Sequence, residues 1–353
     1  MASRVVGLDI GTSGVRAAEL TLGKGTATLE RFGQVALPAG AVRDGEVADA
    51  DAVAAAIKQL WAQAKFSTKK VIVGVANQKV IVRQVDLPWM PAGELRKALA
   101  FQVQDYVPMP VDQAILDFHP LEEFTNESGA RMLRVLLVAA ARDMVGSAVD
   151  AVNKAGLQPH MVDLTSFAVL RSLVSLDAGV SPTGAEALVD VGANVTNIVI
   201  HQGGVPRFVR ILLMGGGDIT DAVAERLGVP VEQAEAIKQE SGMAPVAGAA
   251  ESSPAGRAIE GTANGFVEEV RGSLDYYMAQ PGAARIDRVV LSGGGSRLSG
   301  LADRLATATR LQVQAARPLS TLKLGKTGLT DDQLAYVEPM VAVPVGLAMG
   351  VSS

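Results

Sequence analysis

One short pattern occurs twice in this chain, and it narrows the possible folds more than any other feature. Residues 5–20, VVGLDIGTSGVRAAEL, read as an apolar strand carrying Asp9, a tight turn at Gly11-Thr12-Ser13-Gly14, and an alternating strand back. Residues 187–200, ALVDVGANVTNIVI, repeat the plan. Asp9 aligns with Asp190, Gly11 with Gly192, and Thr12-Ser13 with Ala193-Asn194. A strand–turn–strand unit duplicated in the two halves of a chain predicts two related lobes facing each other across a cleft. Turns of small residues let backbone N–H groups close on an anion. The carboxylate at each mouth would repel that anion unless a cation lay between them, and magnesium suits the place because it binds through few protein oxygens and keeps its waters. A third loop, Ser292-Gly293-Gly294-Gly295-Ser296, joins a predicted strand (285–291) to a predicted helix (298–309) and completes a phosphate clamp.

Composition removes several function classes. The chain has 353 residues, enough for two domains, is 48% hydrophobic but only 4% aromatic, and carries a net charge of -5. That aliphatic balance suits sheets flanked by helices, and the acidic charge argues against nucleic acid as the main ligand. With no cysteine, disulfides, zinc–thiolate sites and iron–sulfur clusters are excluded, as suits a reducing cytoplasm. The first residues enter a strand, so no signal peptide is expected, and no apolar run reaches the roughly 20 residues of a membrane span. His119, His160 and His201 are dispersed, without metal or triad spacing.

Along the chain, residues 27–37 continue an antiparallel meander, 49–65 have helical spacing with acidic residues at the start, and 70–76 form a buried strand. That β-β-β-α-β order is half of a ribonuclease-H-like lobe. An α+β insertion follows: a strand from Val80, the segment PWMPAGEL, a helix over 94–106, strands over 114–124 and 132–140, and a helix over 143–155. Residues 160–164 read as a strand, 166–176 as a helix and 177–183 as a linker. In the second half, Met214-Gly-Gly-Gly-Asp leads into a helix and predicts free N–H groups at its start. Residues 243–258 read as a loop and 260–278 as an amphipathic helix. The domain reading is a first lobe of 1–83 and 160–185, an inserted α+β subdomain of 84–159, and a second lobe of 186–353 with a smaller helical subdomain around 222–283.

In this order, VGLDIGTSGVRAAEL, DLTSFAVLRSL, LVDVGANVTNIVI, AEAIK and VVLSGGGSRLSGL resemble the actin/Hsp70/sugar-kinase ATPase superfamily. Within it, VDLPWMPAGELRKALAFQVQDYVPMPVD and RFVRILLMGGGDITDAVAERLGVPVEQAEAIK resemble the PilM family of type IV pilus assembly proteins, relatives of the division protein FtsA. The likeness spans essentially the whole chain. It implies an α/β actin-like ATPase fold: two ribonuclease-H-like lobes around a nucleotide cleft, with an FtsA-type subdomain inserted in the first.

The resemblance also implies ATP and Mg2+ as cofactors, with Asp9 and Asp190 facing a water-ligated magnesium. Gly11, Thr12, Ser13 and Gly14 would hold phosphates from one lobe, and Gly192, Ala193 and Asn194 from the other. Glu235 and Lys238, three apart and so on one helix face, match positions contacting ribose and adenine, with an exposed ion pair as the alternative. Gly293, Gly294, Gly295 and Ser296 would lie under the base. Asp163 falls where Hsp70-like chains carry a water-positioning carboxylate, the alternative being an N-cap for the next helix. Ala193-Asn194-Val195 departs from the Gly and Thr usual in active relatives, so at most slow hydrolysis is expected.

The function implied is a cytoplasmic scaffold, peripheral to the inner face of the cytoplasmic membrane, that docks the N-terminal tail of a PilN-like membrane protein without inserting into the bilayer. The groove expected for the tail lies between the first lobe and the insert, bounded by residues 80–111, where Trp89, Met90, Phe101, Tyr106 and Met109 gather. Pilus motor ATPases and self-association are further partners the likeness leaves open. An FtsA-like filament-forming ATPase is the alternative, and a small-molecule kinase a weaker one, since no acceptor-binding signature is present.

Overall fold

The computed structural model describes residues 3–23, 26–174, 184–243 and 253–350. The first copy of the repeat is the hairpin of β1 (Ser3–Ile10) and β2 (Gly14–Leu22), whose register sets Asp9 opposite Arg16. β3 (Ala27–Ala36) extends the antiparallel meander. A small pair, β4 (Val42–Arg43) and β5 (Glu46–Val47), precedes α1 (Ala50–Ala64). That helix starts where the Asp49 carboxylate accepts the N–H groups of Asp51 and Ala52, each at 3.0 Å. β6 (Lys70–Val75) then returns parallel to β1. Alternate residues of the strands, Val6, Leu8 and Val73, meet the helix face of Val53, Ile57 and Leu60 in one core.

Next come β7 (Val80–Pro88), α2 (Ala92–Gln102), β8 (Ala114–Thr125) and β9 (Arg131–Ala141). The three strands form a separate sheet, β7–β9–β8, and α2 buries Leu95 and Leu99 against its Phe118, Val135 and Leu137. The helix expected over 94–106 ends at Gln102, with a single 3₁₀ turn at Gln104–Tyr106. Val107 precedes a proline, which disfavours helical angles, and the chain is extended there (φ −113°, ψ 119°). α3 (Arg142–Lys154) follows β9 directly, yet its Met144, Val145, Ala148 and Val152 share the core of α1. β10 (Gln158–Leu164) adds a parallel strand beside β6 and leads into α4 (Thr165–Leu173). The linker expected at 177–183 lies outside the described residues.

The second half repeats the topology. β11 (Ala185–Val191), β12 (Thr196–Gln202) and β13 (Val205–Leu212) form the meander. After α5 (Gly216–Leu227), α6 (Val231–Ser241) and α7 (Pro254–Met278), β14 (Ile286–Ser292) runs parallel to β11. α8 (Leu301–Thr309) and β15 (Gln312–Ala315) complete the order β13–β12–β11–β14–β15, which mirrors β3–β2–β1–β6–β10. α7 begins inside the stretch expected as a loop over 243–258, of which 244–252 lie outside the described residues. Ser253 caps the Gly256 N–H at 3.0 Å and Pro254 takes the first helical position, where its missing N–H costs nothing.

The last elements return to the first sheet. β16 (Lys323–Leu324) pairs with β3; after α9 (Asp331–Val337), α10 (Ala342–Met349) packs on β1 and α4. Sequence order groups these residues with the second lobe, but α10 is buried on nearly every side and must be covered all round. The approach is close enough that a Cβ on Gly346 would stand 1.8 Å from the Ala168 carbonyl oxygen. α4 and α10 thus lie between the sheets, in a core of Ile72, Val169, Leu188, Val199, Val343 and Leu347. One polar tie crosses it: the Asn197 side-chain oxygen accepts from the hydroxyls of Thr165 (2.9 Å) and Ser166 (2.8 Å). No helix among the described residues is long and apolar enough to cross a membrane.

Candidate functional site

Both hairpin turns close in the same way. The Gly11 N–H donates to the Gly14 carbonyl at 3.0 Å, and the Gly192 N–H donates to the Val195 carbonyl at 3.0 Å. Asp9 and Asp190 therefore end their strands at equivalent points. In the first hairpin, the Arg16 guanidinium lies 3.6 Å from the Asp9 carboxylate. Burial pushes the Asp9 carboxyl up, against the pull of Arg16. Thr12 and Ser13 sit at the tip, and the Ser13 carbonyl accepts the Leu37 N–H at 3.1 Å.

The second hairpin is held from behind. Ser292 donates its hydroxyl to Asp190 at 2.7 Å. Asp190 is only 7% exposed, and its carboxyl is pushed up to about 6, first by burial and further by the facing charge of Asp9, against the Ser292 bond and Arg16. The start of α5 grips the turn: Gly216 N–H donates to the Gly192 carbonyl at 2.9 Å and Gly217 N–H to the Ala193 carbonyl at 2.6 Å. Gly215 N–H goes to Asp218 at 2.7 Å. The free N–H groups expected at this helix start are therefore engaged, because the glycines permit direct backbone contact. A Cβ on Gly215 would meet the carbonyl oxygens of Gly192 and Ala193 at 2.4 and 2.6 Å. Asn194 lies beside Asp218, 3.4 Å away.

Glu235 and Lys238 lie on α6 and face α5. The Lys238 ammonium donates to Glu235 at 2.6 Å, to the Thr220 hydroxyl at 2.8 Å and to the Gly216 carbonyl at 2.9 Å. Glu235 also accepts from Thr220 and from Gln239. Burial alone would raise the Glu235 carboxyl, but these donors outweigh it and hold it below its usual value. Lys238 is 8% exposed, so the pair is not the exposed surface pair that i,i+3 spacing alone allowed. The third loop joins the same place: the Gly295 Cα lies 3.2 Å from where a Gly216 Cβ would stand. Gly293 has φ +83°, open to glycine, and Ser296 donates to the Gly293 carbonyl at 2.7 Å.

Asp163 stands at the end of β10, paired in register with Gly74 of β6. Its oxygens accept from the Leu164 N–H (2.8 Å) and the Arg171 guanidinium. It does not cap α4, whose N-cap residue is Leu164 and which has no side-chain cap. Arg171 also donates to the Gly346 carbonyl at 2.9 Å, fastening α4 to α10.

Four residues at or behind the cleft escape sequence reasoning: Arg16, Ser292, Asn197 and Thr220. For Arg16 a signal existed, since a hairpin closing at Gly11 and Gly14 sets residue 16 opposite residue 9. The other three depend on partners far away in the chain. No group of three or more His, Asp or Glu side chains able to hold a metal occurs among the described residues. The two facing carboxylates form a hard-oxygen donor set that a water-bearing magnesium ion fits.

Residues 7–351 match the family described as type IV pilus assembly protein PilM. A solved structure described as the PilM–PilN type IV pilus biogenesis complex superposes with a TM-score of 0.86 at 28% identity, covering 100% of both chains. The cell division protein FtsA of Escherichia coli is 27% identical over 97% of this chain and 89% of its own length. FtsA of Bacillus subtilis is 25% identical over 68% of this chain, which spans only 58% of that protein. MreB5 of Spiroplasma citri, in a crystal structure described as bound to ADP, shares the fold at 12% identity, with a TM-score of 0.53 over 99% and 98% of the two chains. The fold is that of the actin-like ATPases, as the motif order implies.

Proposed function

The chain belongs to the type IV pilus assembly protein PilM family, and on that premise we propose that it is an ATP-binding scaffold of a pilus assembly platform, peripheral to the inner face of the cytoplasmic membrane. It docks the cytoplasmic tail of a PilN-like membrane protein. The observation that carries this reading is the likeness, over both full lengths, to a chain of the PilM–PilN complex.

ATP lies between the hairpins, its phosphates against Gly11–Gly14 and Gly192–Asn194, its ribose and base against Glu235, Lys238 and Gly293–Ser296. Magnesium, when bound, supplies the charge that lets phosphates approach two carboxylates. Asp9 and Asp190 orient its waters, and the buried Asp190 charge, costly alone, is relieved by the cation. Arg16 exchanges Asp9 for a phosphate oxygen. Hydrolysis is slow at most: Asp163 is engaged by Arg171 and Leu164, and the second turn offers no hydroxyl.

The tail docks on the insert, between α2 and the start of β8, beside the first residue of α3. A depression of about 430 Å³ lies there, lined among others by Arg96, Leu99, Val111, Ile115 and Arg142. Phe101, one residue beyond the lining Ala100, is 79% exposed, and Tyr106 is exposed as well. Trp89, Met90 and Met109 pack partly into the insert's own core, which leaves Phe101, Tyr106 and Ile115 as anchors. Fluorescence anisotropy with a labelled tail peptide tests this. Joint Phe101→Ser and Tyr106→Ser replacement should weaken tail binding by about tenfold or more while ATP affinity stays unchanged. Equal binding by the variant refutes the groove, and no binding by the wild type refutes the docking role.

A further inference from the structure

We infer that α9 acts on the base end of the cleft, with Tyr336 as a positioning residue that holds the Arg297 guanidinium as one wall of the base site. This rests on the nucleotide reading above. One short stretch meets the third loop at three points. The Tyr336 ring stacks on Arg297, whose guanidinium carbon is 3.9 Å from the ring centroid. The Pro339 carbonyl accepts the Gly293 N–H at 2.7 Å. The Met340 sulfur lies 3.7 Å from where a Gly294 Cβ would stand.

On its other side the loop has no room. A Cβ on Gly293 would meet the Val191 carbonyl oxygen at 2.3 Å, and one on Gly295 would meet the Val191 side chain at 2.6 Å. The loop is thus pinned between the end of β11 and the stretch 336–340. Arg297 belongs to the same 3₁₀ turn as Gly294 and Gly295. It stands two residues from Gly295, where the second hairpin, α5 and Lys238 converge.

The state of Arg297 carries the inference. It is exposed and rests on an aromatic ring rather than a carboxylate. A guanidinium is planar and weakly hydrated on its faces, so with one face on a tyrosine the other can take a second flat group. A purine base is such a group, and stacking on it needs no hydrogen bond to its edge. Tyr336, itself 50% exposed, removes the rotamer freedom that a lone surface arginine would lose on stacking. The same stretch runs on into α10 between the two sheets, so the residues that set this wall are covalently continuous with the helix that joins the lobes.

Calorimetry on the full chain, with Mg·ATP and Mg·tripolyphosphate as probes, separates the base from the phosphates. Wild type should bind Mg·ATP more tightly than Mg·tripolyphosphate. Tyr336→Ala should reduce that preference by about threefold without changing tripolyphosphate affinity, and Tyr336→Phe should restore it. Arg297→Ala should reduce the preference too, and Tyr336→Ala should then add nothing. The inference fails if Tyr336→Ala leaves the preference intact or weakens both probes equally. It also fails if wild type binds the two probes alike, an outcome that spares the phosphate clamp. Binding of neither probe would instead refute the nucleotide reading itself, and this inference with it.

Discussion

The two hairpins share a backbone plan and differ in what holds them. The first is held at its tip by the neighbouring strand's end, through the Leu37 N–H on the Ser13 carbonyl, and carries its own cation, Arg16, 3.6 Å from Asp9. The second has no cation on its own strands; it is clamped by Gly216 and Gly217 of α5, and its carboxylate is tied to Ser292. Behind the clamp, Lys238 and Thr220 donate to the Gly216 carbonyl, and Glu235 accepts from both of them. A duplicated motif has thus diverged into a jaw clamped by a helix start in the second lobe and a charge-balanced jaw in the first. Burial raises both carboxyls, that of Asp190 to about 6, and Arg16 pulls against the rise at each, through a hydrogen bond as well as its charge at Asp9 and through charge alone at Asp190.

The largest expected effect tests the clamp. Gly215→Ala drives a Cβ into two backbone carbonyls at 2.4 and 2.6 Å, neither of which can yield alone. It should cost about 3 kcal/mol of stability in chemical denaturation. Gly11→Ala meets first the movable end of Arg16, at 3.1 Å, and should stay within about 1 kcal/mol of wild type. Equal losses would erase the distinction between the jaws.

A second effect separates the two carboxylates by pH. Because the folded-state value of Asp190 lies above the ordinary 3.8, at about 6, its contribution is fully present below pH 3.8 and is lost as pH rises through 6. In metal-free buffer this loss should reach at most about 3 kcal/mol, the energy of a shift of that size. Asp190→Asn should abolish it, and Asp9→Asn should reduce it by removing the facing charge. A denaturation midpoint in Asp190→Asn with the wild-type pH slope would contradict the burial argument.

The smallest effect probes the brace behind the second hairpin. Thr220→Val removes a hydroxyl that joins Lys238, Glu235 and the Gly216 carbonyl, and should cost about 1 kcal/mol. No such network backs the first hairpin among the described residues, so the variant should leave Arg16–Asp9 pairing untouched.

Both hairpins were legible in the sequence because they are local: a strand, an aspartate, a glycine turn and a return strand lie within twenty residues. Two lobes followed from the duplication, and the family from the insert. Long-range placements were not legible. Nothing near Gly215 announces that its neighbours bind residues 192 and 193, and the spacing of Glu235 and Lys238 shows a shared face but not that α5 buries it. The uniform apolarity of 342–349 calls for burial without saying between which sheets. α3 reads as part of the insert because it follows β9, but its Met144 and Val152 belong to the core of α1. Val103 and Val107 look like two more apolar helix positions, and only the proline after Val107 hints that the helix stops short.

In the proposed function both jaws act together on one Mg·ATP. Calorimetric titration of ATP into the full chain, with and without magnesium, tests it most directly in wild type, Asp9→Ala and Asp190→Ala. Binding should depend on magnesium in wild type and weaken by about tenfold to a hundredfold in each variant, the range for groups that act on a metal through its outer shell. Affinity that is indifferent to magnesium, or unchanged when both carboxylates have been removed in turn, would contradict it.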